Sequence, residues 1–84
     1  MDAVSLALPD HWHSIPAVLA ARAVKDIYSE KTLAYSIPEG RAIVDAVQRY
    51  GVVWQTGSWQ RSQRNFRHAC ELVRNGRIGR VELV

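Results

Sequence analysis

Short apolar runs and stretches of helical periodicity alternate along the first part of the chain. The run from Asp2 to Leu8 is apolar without strict alternation, which is typical of a strand buried on both faces of a parallel sheet. From His13 to Val24 the apolar positions recur every three or four residues and predict a helix. Lys25 to Ser29 predicts a second strand. Together these segments predict a β-α-β crossover.

A second helix and a third strand follow in the same alternation. The sequence Ser36-x-x-Glu39 forms a capping box, in which each side chain can bind the backbone N–H of the other residue. Gly51 is well placed to end the helix that starts there. Val52 to Thr56 then predicts a strand, and Gly57 to Arg61 predicts a polar loop. The apolar stripe of this helix consists of Ile43, Val47 and Tyr50.

The last part of the chain predicts one more helix and one more strand. The helix is expected from about Gln63 to Asn75, with Gly76 as its C-terminal stop. Arg80 to Val84 is expected to begin a fourth strand. The residues predicted to face inward from this helix are Phe66, Ala69, Cys70 and Val73.

The predicted order β-α-β-α-β-α-β indicates an α/β fold with a parallel sheet and helices on its faces. We interpret residues 1–84 as a single partial domain, half of a doubly wound, Rossmann-like sheet. The predicted chain starts on a strand and stops on one, so we expect a fragment-like unit whose sheet is completed by self-association, most simply as a dimer, or by a complementing chain. A structural self-association module without catalysis is one alternative function.

Composition limits the class of protein. Of 84 residues, 48% are hydrophobic and 23% are charged, which indicates a folded chain and excludes a disordered tail. The longest apolar run is far shorter than the roughly 20 residues of a membrane span, and the N-terminus does not resemble a signal peptide. With one cysteine, Cys70, no internal disulfide can form. We therefore expect a cytoplasmic protein.

The net charge of +3 is distributed unevenly. Residues 60–84 hold six Arg and two Glu, a balance of +4, whereas residues 1–59 hold five basic and six acidic side chains, a balance of −1. A basic segment with interleaved aromatic rings can bind nucleic acid, but a solvated helix face explains the same pattern, and we do not expect a nucleic-acid partner. The residues of this nucleic-acid hypothesis are Arg61, Arg64, Arg67, Trp54, Trp59 and Phe66.

A metal site is a further alternative near the N-terminus. Asp10, His11 and His13 offer a carboxylate and two imidazoles at a spacing that can chelate zinc. The chain has no second His or Cys cluster, and Asp10 is also a suitable N-cap for the helix that follows. We therefore predict no metal here.

Five segments in order resemble the second half of the nucleotide-binding domain of the glucose–fructose oxidoreductase, inositol dehydrogenase and MocA (Gfo/Idh/MocA) family. That family has a turn similar to Thr-Pro-Asp-His-Trp-His, and then a Glu-Lys-Pro motif, an Arg-Ala-rich helix start, a Gln-Thr-Gly-Ser motif and an Arg-Asn-Gly-Arg-Ile-Gly motif. The matching segments are Leu8 to His13, Ala23 to Leu33, Glu39 to Ala46, Gln55 to Ser62 and Val73 to Gly79.

The resemblance implies an oxidoreductase that uses NAD or NADP to act on sugar or polyol hydroxyls. It implies that Lys31 reaches between nicotinamide and the substrate hydroxyl as the catalytic lysine, and that Glu30 faces the nicotinamide ribose. An ammonium group can polarise a substrate oxygen and assist proton transfer. The cofactor-binding residues implied in this way are Pro9, Asp10, His13, Glu30, Lys31, Gln55 and Arg61.

Three substitutions depart from the family pattern. Thr32 replaces the proline after the lysine, Leu8 replaces a threonine near the cofactor, and Val24 replaces a glycine at a helix end. A valine there costs stability if the backbone has a positive φ. These 84 residues also contain neither a glycine-rich phosphate turn nor the Asp and His of a substrate domain, so we expect weak nucleotide binding at most and no turnover by the chain alone.

Overall fold

The computed structural model describes all residues from 1 to 84. Two short 3-10 turns, at Asp10–Trp12 and Trp59–Ser62, connect the regular elements. Those elements are β1 (Ala3–Leu6), α1 (Ser14–Arg22), β2 (Asp26–Ser29), α2 (Ile37–Tyr50), β3 (Trp54–Thr56) and α3 (Arg64–Arg74). No helix has both the length and the apolar character needed to cross a lipid bilayer.

The three strands form one parallel sheet in the order β1-β2-β3. The register pairs Val4 with Ile27 and Ile27 with Trp54, so these side chains point to the same face. The helices α1 and α2 pack against each other, and α1 also packs on this face of the sheet. The prediction of an α/β fold with a parallel sheet is therefore confirmed.

The core lies between this face of the sheet and the two helices. Ile27 is 2% exposed at its centre, and Ile43 of α2 is equally buried in the same cluster. Small residues of the helices allow the close approach, because an alanine brings a helix backbone near the sheet. The buried apolar residues are Leu6, Ala17, Ala21, Ile27, Ile43, Ala46 and Val52.

The opposite face of the sheet has no helix on it. Ser5, Tyr28 and Gln55 share this face through the strand register, and all three are exposed. We refer to this surface, defined by Ser5, Tyr28 and Gln55, as the open face. A sheet of this size covered on one side buries only part of its apolar surface.

The predicted ends of α2 are confirmed. The carboxylate of Glu39 accepts hydrogen bonds from the backbone N–H and the hydroxyl of Ser36, at 3.0 and 3.1 Å. Gly51 follows the last turn in the left-handed conformation, with φ of 65°. Both signals are local, which explains why the sequence pattern alone indicated them.

The prediction that α3 packs through an apolar stripe is wrong. No residue of α3 is buried: Phe66 and Val73 are each 43% exposed, and Cys70 is exposed as well. The helix packs chiefly against the turn Trp59–Ser62. Helical periodicity marks which face of a helix is apolar, but it carries no information on whether a surface exists for that face to contact.

The fourth strand predicted from Arg80 to Val84 is also absent, and this segment has no regular structure. A strand needs a neighbour for its backbone hydrogen bonds, and the segment lies beside none. With α3 it extends away from the sheet, so the radius of gyration is 17.0 Å, against about 12 Å for a compact chain of this length.

Candidate functional site

The carboxyl ends of the three strands meet at one edge of the sheet. The backbone N–H of Glu30 donates to the carbonyl of Leu6 at 2.9 Å, and the N–H of Gly57 donates to the carbonyl of Ser29 at 2.7 Å. These bonds extend the ladder one residue beyond β2 and β3. Glu30 is therefore held between the ends of its two neighbouring strands, where parallel sheets bind ligands. We refer to this region as the carboxyl edge.

His13 joins the loop after β1 to the end of β2. Its imidazole is fully buried, with Nε2 2.7 Å from the carbonyl oxygen of Leu8 and Nδ1 3.1 Å from the hydroxyl of Ser29. A carbonyl can only accept, so Nε2 carries a proton and donates it. Both nitrogens are thus engaged within the protein. The ring fixes the loop at the carboxyl edge, while its contact with a cofactor stays a prediction.

The same turn contains Pro9 and Asp10, both exposed. The suggestion that Asp10 caps the following helix is wrong, because Asp10 lies inside the 3-10 turn and makes no capping hydrogen bond. The residue before α1 is His13, which has helical φ and ψ of −66° and −38°. The two short helices follow each other directly, and this leaves no extended residue to act as an N-cap.

Glu30 and Lys31 leave β2 in different environments. The carboxylate of Glu30 is half-buried, and the Tyr28 hydroxyl donates to its Oε1 at 3.4 Å. Lys31 is exposed and forms no ion pair. The peptide bond between Lys31 and Thr32 is cis. The edge thus offers a partly enclosed carboxylate and a free ammonium group one residue apart.

The structure brings Gln55 to the open face and Arg61 to a different surface. The Gln55 side chain is exposed and donates from Nε2 to the Thr56 carbonyl at 2.9 Å. Arg61 lies on the turn after β3 and makes no hydrogen bond to Glu30. It lines a groove of about 540 Å³ with Gln60, Phe66, Arg67, Cys70 and Arg74. Three residues of the nucleic-acid alternative, Arg61, Phe66 and Arg67, thus share this groove, and the expectation of no nucleic-acid partner stays untested.

Sequence inspection missed three residues that shape the carboxyl edge. Ser29 is fully buried against His13, Tyr28 approaches Glu30, and Gly57 lies against the Glu30 carboxylate. One signal was available, because a serine as the last residue of a buried strand needs a polar partner. The contact between Glu30 and Gly57 joins residues far apart in sequence and had no local signal.

Parallel strands with crossover helices and polar side chains at the carboxyl edge define part of a Rossmann-type α/β fold. No protein-family model matches the chain. The chain is 35% identical over 78 residues to levoglucosan dehydrogenase of Pseudarthrobacter phenanthrenivorans, covering 93% of this chain and 20% of that protein. It is 31% identical over 80 residues to the NAD(+) scyllo-inositol 2-dehydrogenase of Bacillus subtilis, covering 95% and 23%.

Solved structures agree with these matches. A probable dehydrogenase from Thermotoga maritima superposes with a TM-score of 0.71 at 30% identity, over 94% of this chain and 24% of that one. The chain spans between a fifth and a quarter of the length of the curated relatives it matches. Along this length it is homologous to one segment of the Gfo/Idh/MocA-type oxidoreductases, as the sequence motifs indicated.

Proposed function

We propose that these residues form the nicotinamide side of a dinucleotide site in an oxidoreductase acting on sugar or polyol hydroxyls. The observation that supports the proposal most directly is the position of Glu30 and Lys31 at the end of the central strand, between the ends of both neighbours. Two of the relatives are named as a levoglucosan dehydrogenase and a scyllo-inositol 2-dehydrogenase, and these names support the substrate class.

The residues at the carboxyl edge suit a nicotinamide cofactor. The half-buried Glu30 carboxylate is an acceptor for ribose hydroxyls, and Pro9 and Asp10 border the same edge as an exposed rim. A bound nicotinamide would supply the hydride chemistry. His13 contributes by holding the loop that carries this rim.

Lys31 is the residue proposed to act on the substrate. Its ammonium group is exposed and unpaired, so it is free to donate hydrogen bonds to a substrate oxygen. Such donation stabilises negative charge that develops on that oxygen during proton removal. Thr32 follows the lysine directly and shares its exposed position.

The 84 residues alone are proposed to bind a nucleotide weakly and not to turn over. They contain no glycine-rich turn to hold a pyrophosphate, and the backbone N–H groups of such a turn supply much of the affinity for a dinucleotide. The family resemblance implies Asp and His partners for such a lysine in a substrate domain, and these 84 residues do not include them. The choice between NAD and NADP depends on groups that these residues do not include.

Calorimetric titration of the chain with NADH tests the proposal. We expect weak, saturable binding that falls about tenfold or more in Glu30→Gln, because a hydrogen bond to a charged group is worth about 1.5–3 kcal/mol. Asp26→Asn is the matched control, since Asp26 lies at the amino end of β2. If a folded chain shows no saturable binding of NADH, the proposed site is contradicted. If the chain reduces NAD or NADP in the presence of polyols, the expected lack of turnover is contradicted.

A further inference from the structure

Gly57, the first residue after β3, lies directly against the side chain of Glu30. A Cβ atom built on Gly57 would stand 2.7 Å from Oε2, 2.8 Å from Cδ and 2.9 Å from Oε1 of Glu30. These are the three nearest atoms, and all of them belong to one carboxylate. Real Cβ contacts are not this short, so the carboxylate occupies the space that a side chain at position 57 would need.

Backbone conformation gives no separate reason for a glycine at this position. Gly51, Gly76 and Gly79 have φ of 65°, 69° and 86°, and a Cβ on any of them would meet open space. Gly57 is not among the glycines with positive φ. Its N–H donates to the Ser29 carbonyl, a bond that alanine would also make. The Glu30 carboxylate is therefore the nearest group that opposes a side chain here.

The Glu30 carboxylate has little else to hold it. Its hydrogen bond from the Tyr28 hydroxyl is long, at 3.4 Å, and it forms no ion pair. Because the carboxylate is the far end of a flexible side chain, a methyl group on Gly57 would displace it and leave the sheet in place. Position 57 thus controls where the carboxylate lies more than it controls the stability of the fold.

We propose that Gly57 is a positioning residue that lets the Glu30 carboxylate lie across the end of β3, where both of its oxygens can accept hydrogen bonds from a ribose diol. Two acceptor oxygens and no donor match two neighbouring hydroxyl groups. The inference rests on the proposed nicotinamide site and extends that site from β2 to the end of β3.

The contact itself is tested without any ligand by NMR of the labelled chain. In Gly57→Ala we expect the ¹³Cδ resonance of Glu30 to shift and the cross-peaks between Glu30 and residue 57 to change, with the denaturation midpoint nearly unchanged. Gly40→Ala is the matched control, because a Cβ at Gly40 would meet Leu33 and Ala34 at ordinary distances of 3.7 and 3.8 Å. An unmoved Glu30 resonance in Gly57→Ala would overturn the inference.

Titration with NADH then tests the role of the contact. We expect Gly57→Ala to weaken binding about tenfold in the chain with Glu30, and to have no effect in the Glu30→Ala background, since residues that act through each other are not additive. Equal losses in both backgrounds would overturn the positioning role. If the unaltered chain binds no NADH, the proposed function fails. The NMR comparison still decides whether Gly57 determines the position of the Glu30 carboxylate.

Discussion

Each of the three helices ends on a residue in the left-handed region of backbone conformation. Gly51 and Gly76 occupy this position after α2 and α3, with φ of 65° and 69°, and Val24 occupies it after α1, with φ of 53°. The N–H groups of Val24 and Lys25 donate to the carbonyls of Ala21 and Ala20, which is the Schellman pattern. The valine thus adopts a conformation that suits glycine.

At the scale of single residues, we expect Val24→Gly to stabilise the chain. A left-handed β-branched residue is strained by about 1–2 kcal/mol, and part of the relief is lost to the greater freedom of glycine in the unfolded chain. Val24 is 65% exposed, so little burial is lost. Thermal denaturation is expected to show a midpoint higher by a few degrees, about 2–5 °C.

Val53→Gly is the control for this prediction. Val53 is 64% exposed, similar to Val24, but it has no positive φ. We expect this variant to lower the midpoint, because glycine here adds freedom to the unfolded chain without relieving strain. A fall in both variants would show that the backbone at Val24 is not strained.

At the scale of elements, α2 and α3 show that the same kind of pattern can have different outcomes. Both helices carry an apolar stripe, and that of α2 includes Ile43, which is 2% exposed. The stripe of α3 includes Val73, which is 43% exposed. The helix α2 lies between β2 and β3, which pair with each other in the sheet. The helix α3 is instead followed by a segment that pairs with no strand.

Truncation of these two stripes should have unequal effects. Ile43→Ala removes atoms from the centre of the core and is expected to cost about 2–5 kcal/mol, which is a large fraction of the stability of a small domain. Val73→Ala is expected to change the free energy of unfolding by no more than about 0.5 kcal/mol. Urea denaturation measures both, and a large loss in Val73→Ala would show that the α3 stripe is buried in solution.

At the scale of the whole molecule, both edges of the sheet and its open face have no partner. The order β1-β2-β3 places β1 and β3 at the edges, and Tyr28 on the open face is 40% exposed. Unpaired edge groups and uncovered apolar surface both favour association. We propose that a second copy of the chain pairs along β1 in a symmetric dimer.

Sedimentation velocity tests the dimer. The carbonyls of Asp2 and Leu6 accept hydrogen bonds from β2, and successive residues of a strand point their backbone groups to opposite sides. The N–H of Ser5, next to Leu6, therefore points to the free edge. Ser5→Pro removes this donor and is expected to weaken the dimer while leaving β1 paired with β2. Ser5→Ala keeps the donor and is the control. A stable, well-folded monomer at micromolar concentration would contradict the proposal.

The features that the sequence by itself determined are either local or follow from the order of strands and helices along the chain. The capping box at Ser36 and Glu39, the end of α2 at Gly51 and the conformational conflict at Val24 each involve residues within one turn of each other. The parallel sheet follows from alternating short strands and helices, because a helix between two strands leaves a right-handed crossover as the favoured connection. The motif order also identified the relatives.

What only the tertiary structure decided depends on groups distant in sequence. The imidazole of His13 is fixed by Ser29, and the carboxylate of Glu30 is placed by Gly57, because the strand ends that carry these residues meet in space. The exposure of α3 was decided in the same way. Side-chain periodicity determines which surface a helix could bury, but burial requires a second surface, and that surface exists only after the strands have paired.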